Sequence, residues 1–353
     1  MASAISRRQF SQGLVTQLAM ASLAQAGWAA VPASRITPQL LEAAKKEGKA
    51  VWYTAVDLPV AERIAKAFEA KYPGIAVRVE RSGGERIFQR IGQEYASNIH
   101  AVDVVNSSDA AHFIVWKREG ILAPYVPEDV ASHYPTEQVD PDGLFASWRV
   151  WLCVIGYNTK LVKPDEAPKS FADLLEPKWS GKIVKAHPGY SGTIMTATYQ
   201  MSRDIGWSYF EKLSQQKVMQ VQSSADPPKK LALGERAIMA DGNEYNLVQL
   251  KEKGEPVEIV YPSEGTPLII GPSGVMKDAP NPNAARLLQS FMFSLECQQL
   301  MVDWGGLRSF HDQVKDKAGR KPLQDIKLMK DDPAAVEKEA DRIKAKYTQY
   351  FKV

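Results

Sequence analysis

Short apolar runs alternate with amphipathic stretches of helical length from residue 37 onward, and this alternation constrains the fold more than any other feature of the chain. "TPQLLEAAKKEGK" reads as a helix with Thr37 as N-cap, Pro38 in the first turn and Gly48 as stop. "AVWYTAV" follows as a strand, and "PVAERIAKAFEAKYPG" as a helix with Val60, Ile64, Ala67 and Phe68 on one face. "IAVRVE", "SGGERIFQRIGQEYA", "AVDVVNSS" and "AAHFIVWKREG" continue as strand, helix, strand, helix. Such alternation builds an α/β unit on a largely parallel sheet. A second α/β unit begins near "WRVWLCVIGYNTK" and runs through "VEIVYP" and "TPLIIGPSGVM". A single long helix, "NAARLLQSFMFSLECQQLMVDWG", and a charged amphipathic tail close the chain. No Gly/Ser-rich linker separates the units, so several chain crossings, and hence a hinge, are expected between them.

Ligands of such sheets bind beyond the carboxyl ends of the strands. That rule gathers Asp57, Ser82 and Gly83, and Ser107 and Ser108 around a crevice in the first unit. In the second it gathers Ser191, Gly192 and Thr193, and the run "DGNEY" with Asn243, Glu244 and Tyr245. Ser191-Gly192-Thr193 opens a helix. Its free N–H groups suit an anion, and Ser191 equally suits a plain N-cap. "DGNEY" offers hard oxygen donors for a cation or a polar solute, or else caps the helix that follows.

The first 30 residues read as an export signal, excluded from the fold. Arg7 and Arg8 precede an uncharged apolar stretch, Gly13 to Leu23, and small residues close it at Ala24-Gln25-Ala26. "SRRQF" fits a twin-arginine signal, and an ordinary secretory leader is the other reading. The stretch is too short to span a membrane.

The whole chain has 44 Lys and Arg against 41 Asp and Glu, a formal charge of +3. Removing the two leader arginines leaves it near neutral, which gives no reason to expect nucleic acid as partner. Two cysteines, Cys153 and Cys297, are expected as buried free thiols. "GYSG" and "GPSG" each lack the last glycine of a nucleophile elbow, and there is no phosphate-binding loop, dinucleotide fingerprint or zinc-protease motif.

Four phrases together resemble one family: "VWYTAVD…AERIAKAFEAKYPGIAVRV", "VDVVNSSDAAHFIVWKREGILAPY", "VIGYNTKLV…PKSFADLLEPKWSGKIV" and "FMFSLECQQLMVDWGGLRSFHDQV". They are similar to periplasmic solute-binding proteins of ABC importers, in the branch that takes ferric iron, thiamine, phosphonates and sugar phosphates. The resemblance implies a type II clamshell, α/β, with two lobes that are each a mixed sheet flanked by helices. Lobe 1 would comprise residues 31–150 plus 272–320, and lobe 2 residues 151–271 plus 321–353. It further implies a monomer that works in the periplasm, captures a small molecule or metal ion and delivers it to an inner-membrane ABC permease, with no enzymatic activity and no resident cofactor.

For ferric iron the resemblance implies Asp57, Glu244 and Tyr245 as metal donors beside an anion on Ser191-Gly192, with Asn243 as an amide donor. Two family positions depart from the iron pattern: Ser108 stands where iron-binding relatives carry Glu, and Glu244-Tyr245 where they carry a tyrosine pair. Two ligand classes follow: Fe(III) with a synergistic anion, or a small organic anion such as a phosphonate, a sugar phosphate or a thiamine-like compound. An exported enzyme on the same fold, or a sensory protein docking to a membrane receptor, are the competing functions.

Overall fold

The computed structural model describes residues 31–353, and the export signal expected at residues 1–30 lies outside them. The order of elements is α1 (Pro38–Glu47), β1 (Lys49–Thr54), α2 (Leu58–Lys71), β2 (Ala76–Arg81), α3 (Gly84–Ala96), β3 (Val104–Asn106), α4 (Ala111–Arg118), β4 (Leu122–Ala123), α5 (Glu128–His133) and β5 (Ala146–Asn158). There follow β6 (Ile183–Ala186), α6 (Gly192–Asp204), α7 (Trp207–Ser214), β7 (Met219–Val221), α8 (Asp226–Ala232), β8 (Ile238–Asn243), α9 (Glu244–Glu252) and β9 (Val257–Val260). The chain ends with β10 (Thr266–Met276), α10 (Pro282–Phe293), α11 (Leu295–Gly305), β11 (Leu328–Met329) and α12 (Pro333–Phe351).

Local chemistry accounts for the boundaries. Thr37 accepts the Leu40 N–H at the start of α1, and Gly48 ends it at φ 71°, a conformation that costs glycine little. The long helix expected over 283–305 is instead two. Ser294 adopts an extended conformation between α10 and α11, and its Oγ accepts the Cys297 N–H at 3.3 Å, so it caps α11. The apolar pattern runs through the break because both helices bury their faces in the same core.

The main path of the sheet runs β2-β1-β3-β10-β5-β8-β6-β7. At one end β1 lies parallel to β2 and β3, and at the other β6 lies parallel to β7 and β8. Two long strands join these halves. β5 pairs antiparallel with β10 through Ala146–Leu152 and with β8 from Cys153 to Tyr157. β10 in turn pairs with β3 through Ser273–Val275. A register shift falls at Gly271/Pro272, where proline supplies no ladder N–H. These strands are the crossovers that join the two lobes of a type II fold.

Each half has its own core. Around β1 the edge-to-face pair Trp52–Trp148, 5.7 Å between centroids, is fully buried with Phe68, Phe291 and Cys297. Phe171, Tyr209, Phe210 and Tyr347 fill the space beside β6 and β8. Burying each such side chain contributes about 1.5–3 kcal/mol. The last helix, α12, packs on α4 from the first half and on α6 and α7 from the second. Lys344–Glu85 (3.0 Å) and Arg118–Glu337 (3.2 Å) are its ion pairs to the first half. Cys153 and Cys297 are both buried and free. Among the described residues no helix is long and apolar enough to cross a membrane.

Candidate functional site

A cleft of about 840 Å³ opens where the carboxyl ends of β1, β2 and β3 face those of β6, β7 and β8. Asp57 reaches it from beyond β1, Arg81 and Gly83 from β2 and Ser108 from β3. Opposite them stand Tyr190, Ser191 and Thr193 beyond β6, Ser223 and Ser224 beyond β7, and Tyr245 and Asn246 beyond β8. Asn246 Nδ2 donates to Asp57 Oδ2 at 2.5 Å, and Arg86 Nη2 donates to Gln222 Oε1 at 2.6 Å, so polar bonds connect the two walls.

Arg149, near the crossover between the halves on β5, is 1% exposed. Its guanidinium lies 4.2 Å from the Trp151 ring centroid, a favourable cation–π distance. Gly271 makes room for it: a Cβ there would sit 3.0 Å from both Arg149 Cγ and Nε. Nε and Nη2 of this cleft-lining residue have no hydrogen-bond partner among the described residues. Burial lowers its pKa to about 10 against the opposing pull of Tyr245 and Asp57, so it remains a cation at neutral pH. Arg81 adds a second positive charge, its Nη2 3.9 Å from Asp57 Oδ1.

Among the described residues, the cleft wall counts six basic side chains (Arg63, Arg81, Arg86, Arg149, Lys229 and Lys253) against three acids (Asp57, Asp226 and Glu252) and no histidine. That excess attracts anions and opposes cations. The start of α6 works in the same sense. Ser191 Oγ accepts the Ile194 N–H at 3.4 Å, so the serine is a genuine cap, yet Ser191 and Thr193 also line the cleft. The first N–H groups of this 13-residue helix have no intrahelical partner.

Of the residues singled out in the sequence, Asp57, Gly83, Ser108, Ser191, Thr193 and Tyr245 stand on the wall. The others do not. The Ser82 N–H bonds to Thr54 O at 3.1 Å and continues the strand pairing. Ser107 turns inward, its Oγ 2.7 Å from His112 Nδ1, with His112 Nε2 3.0 Å from Glu85. Gly192 serves packing, since a Cβ there would lie 2.8 Å from Asp109 Cβ. Asn243 Oδ1 accepts from Trp151 Nε1 at 3.2 Å, and its Nδ2 reaches Tyr245 OH at 3.2 Å, so Asn243 positions the tyrosine.

Glu244 requires a correction. It is fully buried behind the wall, where Arg308 and Arg320 both bind its carboxylate and Tyr261 donates to it at 2.5 Å. Against the cost of burial, these partners hold its pKa below the usual range. α9 begins at Glu244 directly after β8, so Asp241 to Asn243 are strand residues and no loop separates strand from helix. Asp57 and Tyr245 therefore meet in the cleft without Glu244. Burial, reinforced by Asp57, raises the Tyr245 pKa and keeps the phenol protonated. Sequence reading passed over Arg149, whose signal was a lone cation inside the apolar run "SWRVWLCV".

Residues 63–336 match the model of the bacterial extracellular solute-binding protein family. The chain belongs to that family. Among curated relatives, the solute-binding protein is 24% identical over 285 residues to a probable ABC transporter periplasmic-binding protein, y4fP, of Sinorhizobium fredii, covering 78% of this chain and 74% of that one. Iron uptake protein A1 of Synechocystis sp. is 24% identical over 243 residues, 65% of this chain and 67% of that one. Among solved structures, the periplasmic binding protein AfuA of Actinobacillus pleuropneumoniae, with exogenous fructose 6-phosphate bound, superposes with a TM-score of 0.80. The pair share 25% identity over 87% of this solute-binding protein and 99% of AfuA. Iron-bound HitA of Pseudomonas aeruginosa gives a TM-score of 0.73 at 23% identity, covering 86% and 99% of the two chains, a likeness of fold.

Proposed function

We propose that this protein is the periplasmic binding component of an ABC importer and that its cargo is a small polar solute with a compact anionic group of the phosphate or phosphonate class. The observation that carries this reading is Arg149: a buried guanidinium in the cleft with Nε and Nη2 unpartnered. An unpaired buried charge costs several kcal/mol, and an anion offsets that cost. Each charge-assisted hydrogen bond is worth about 1.5–3 kcal/mol, and the α6 terminus adds about 0.3–2 kcal/mol. The size of the cleft leaves room for a polar body attached to the anion. The AfuA likeness points to the same chemistry.

In this reading lobe 1 comprises residues 31–150 plus 272–320, lobe 2 residues 151–271 plus 321–353, and β5 and β10 form the hinge. A solute touching both lobes binds the closed form better and shifts the hinge equilibrium by that difference. The closed monomer then presents its cargo to the permease, with no covalent change. Ferric iron with an anion fits less well, because six basic side chains outnumber the three carboxylates on the cleft wall, the Tyr245 phenol is held protonated, and Glu244 is engaged elsewhere.

Native mass spectrometry with metal analysis of the purified protein, followed by thermal-shift measurements, tests this. Phosphate-bearing solutes are expected to raise the melting temperature and ferric citrate to leave it unchanged. A coloured, iron-loaded protein indifferent to organic phosphates would refute the reading.

A further inference from the structure

We propose that Asp129, His133 and His311 form a second binding site, apart from the cleft, for a divalent cation of the zinc type. Asp129 and His133 are four residues apart on α5 and share one face. His311 lies in the segment after α11, which is tied to α5 by the Asp312 N–H bond to His133 O at 3.1 Å. The two imidazoles stack with centroids 4.8 Å apart, and one ligating atom from each of the three residues lies within 4.8 Å of the others. A tetrahedral zinc ion spaces its nitrogen and oxygen ligands about 3.4 Å apart, so only a modest contraction is needed. None of the three residues lines the cleft.

An orphaned group marks the site. The His311 side chain is fully buried, and its Nε2 has no hydrogen-bond partner among the described residues; Asp129 Oδ1 is 3.6 Å away. His133 is set up as a ligand by Asp312, whose carboxylate is 3.0 Å from Nδ1. That bond holds the ring proton on Nδ1 and leaves the other nitrogen its lone pair. The Nδ1 of His311 accepts the Gln313 N–H at 3.2 Å and lies 3.8 Å from the same Asp312 carboxylate. Ligation through Nε2 moves the ring proton to Nδ1, which turns from Gln313 to Asp312. Two imidazoles and one carboxylate suit zinc better than a hard cation. The buried cluster of Glu85, Asp109 and His112 differs, because both nitrogens of His112 and both oxygens of Glu85 already have partners.

The test is titration of the untagged, metal-stripped protein with Zn²⁺ and Co²⁺. One ion per chain is expected, with visible cobalt bands of a four-coordinate site and a zinc-dependent rise in melting temperature. Asp312→Asn should weaken zinc binding roughly 10–100-fold. His133→Gln and Asp129→Asn, at half-buried positions compatible with folding, should weaken it further while melting like the parent without zinc. Failure of the parent to bind zinc, or unchanged stoichiometry and affinity in both of these variants, would overturn the proposal.

Discussion

The Arg149 guanidinium lies 4.2 Å from the centroid of the Trp151 ring, two residues along the same strand. One face of the cation is thereby satisfied, while its edge, with two unpartnered nitrogens, is left for something else. Side chains two apart on a strand share a face, so the pair is positioned by the strand itself.

That arrangement sacrifices stability to readiness for a ligand. Arg149→Met removes a buried charge that lacks a carboxylate partner and keeps much of the side-chain volume. We expect the ligand-free variant to gain about 1–3 kcal/mol in urea unfolding. A loss of stability would mean that the guanidinium is already satisfied in the free protein.

Glu244 should behave in the opposite way. With Arg308 and Arg320 both bound to its buried carboxylate, Glu244→Gln leaves two guanidinium groups short of a counter-charge. Stability should fall by about 3–5 kcal/mol. A drop in ligand affinity with unfolding unchanged would instead return Glu244 to the cleft.

Gly192 and Asp109 approach so closely that any side chain at position 192 meets Asp109 Cβ or Ser108 Oγ. These segments belong to opposite lobes under the boundaries proposed above. Gly192→Val should therefore hold the walls apart. Small-angle scattering should record no ligand-induced contraction for the variant, where the parent contracts. Equal contraction in both proteins would place the hinge elsewhere.

Asp109 governs part of the pH dependence. It is 2% exposed, and burial, helped by the nearby Glu85 charge, raises its pKa to about 6. The unfolded chain loses this proton near pH 4, so between about 4 and 6 the folded state holds more protons and stability falls as pH rises. The contribution is at most about 1.4 kcal/mol per pH unit. Asp109→Asn should remove it, so that over this window the variant gains on the parent in urea midpoint. Parallel pH profiles would contradict the assignment.

The sequence made the order of elements legible because caps and stops are local: Thr37, Pro38 and Gly48 bound α1 where their chemistry predicts. The break at Ser294 was hidden, since both flanking helices bury apolar faces and the pattern does not pause. The strand-end rule brought Asp57, Ser108, Ser191 and Tyr245 to one cleft, because it depends on topology alone. Glu244 was misread because its arginine partners are 64 and 76 positions away, beyond any local pattern. Arg149 was overlooked although a cation within a fully buried strand is costly enough to demand a reason.

The central claim is that the cleft grips an anion through Arg149. Calorimetric titration of the parent and of Arg149→Met with fructose 6-phosphate, inorganic phosphate and ferric citrate tests it most directly. The account predicts that the parent binds a phosphate-bearing probe and that the variant loses at least about tenfold in affinity, as expected when charge-assisted hydrogen bonds are removed. Equal affinity in the two proteins, or tight binding of ferric ion alone, would contradict it.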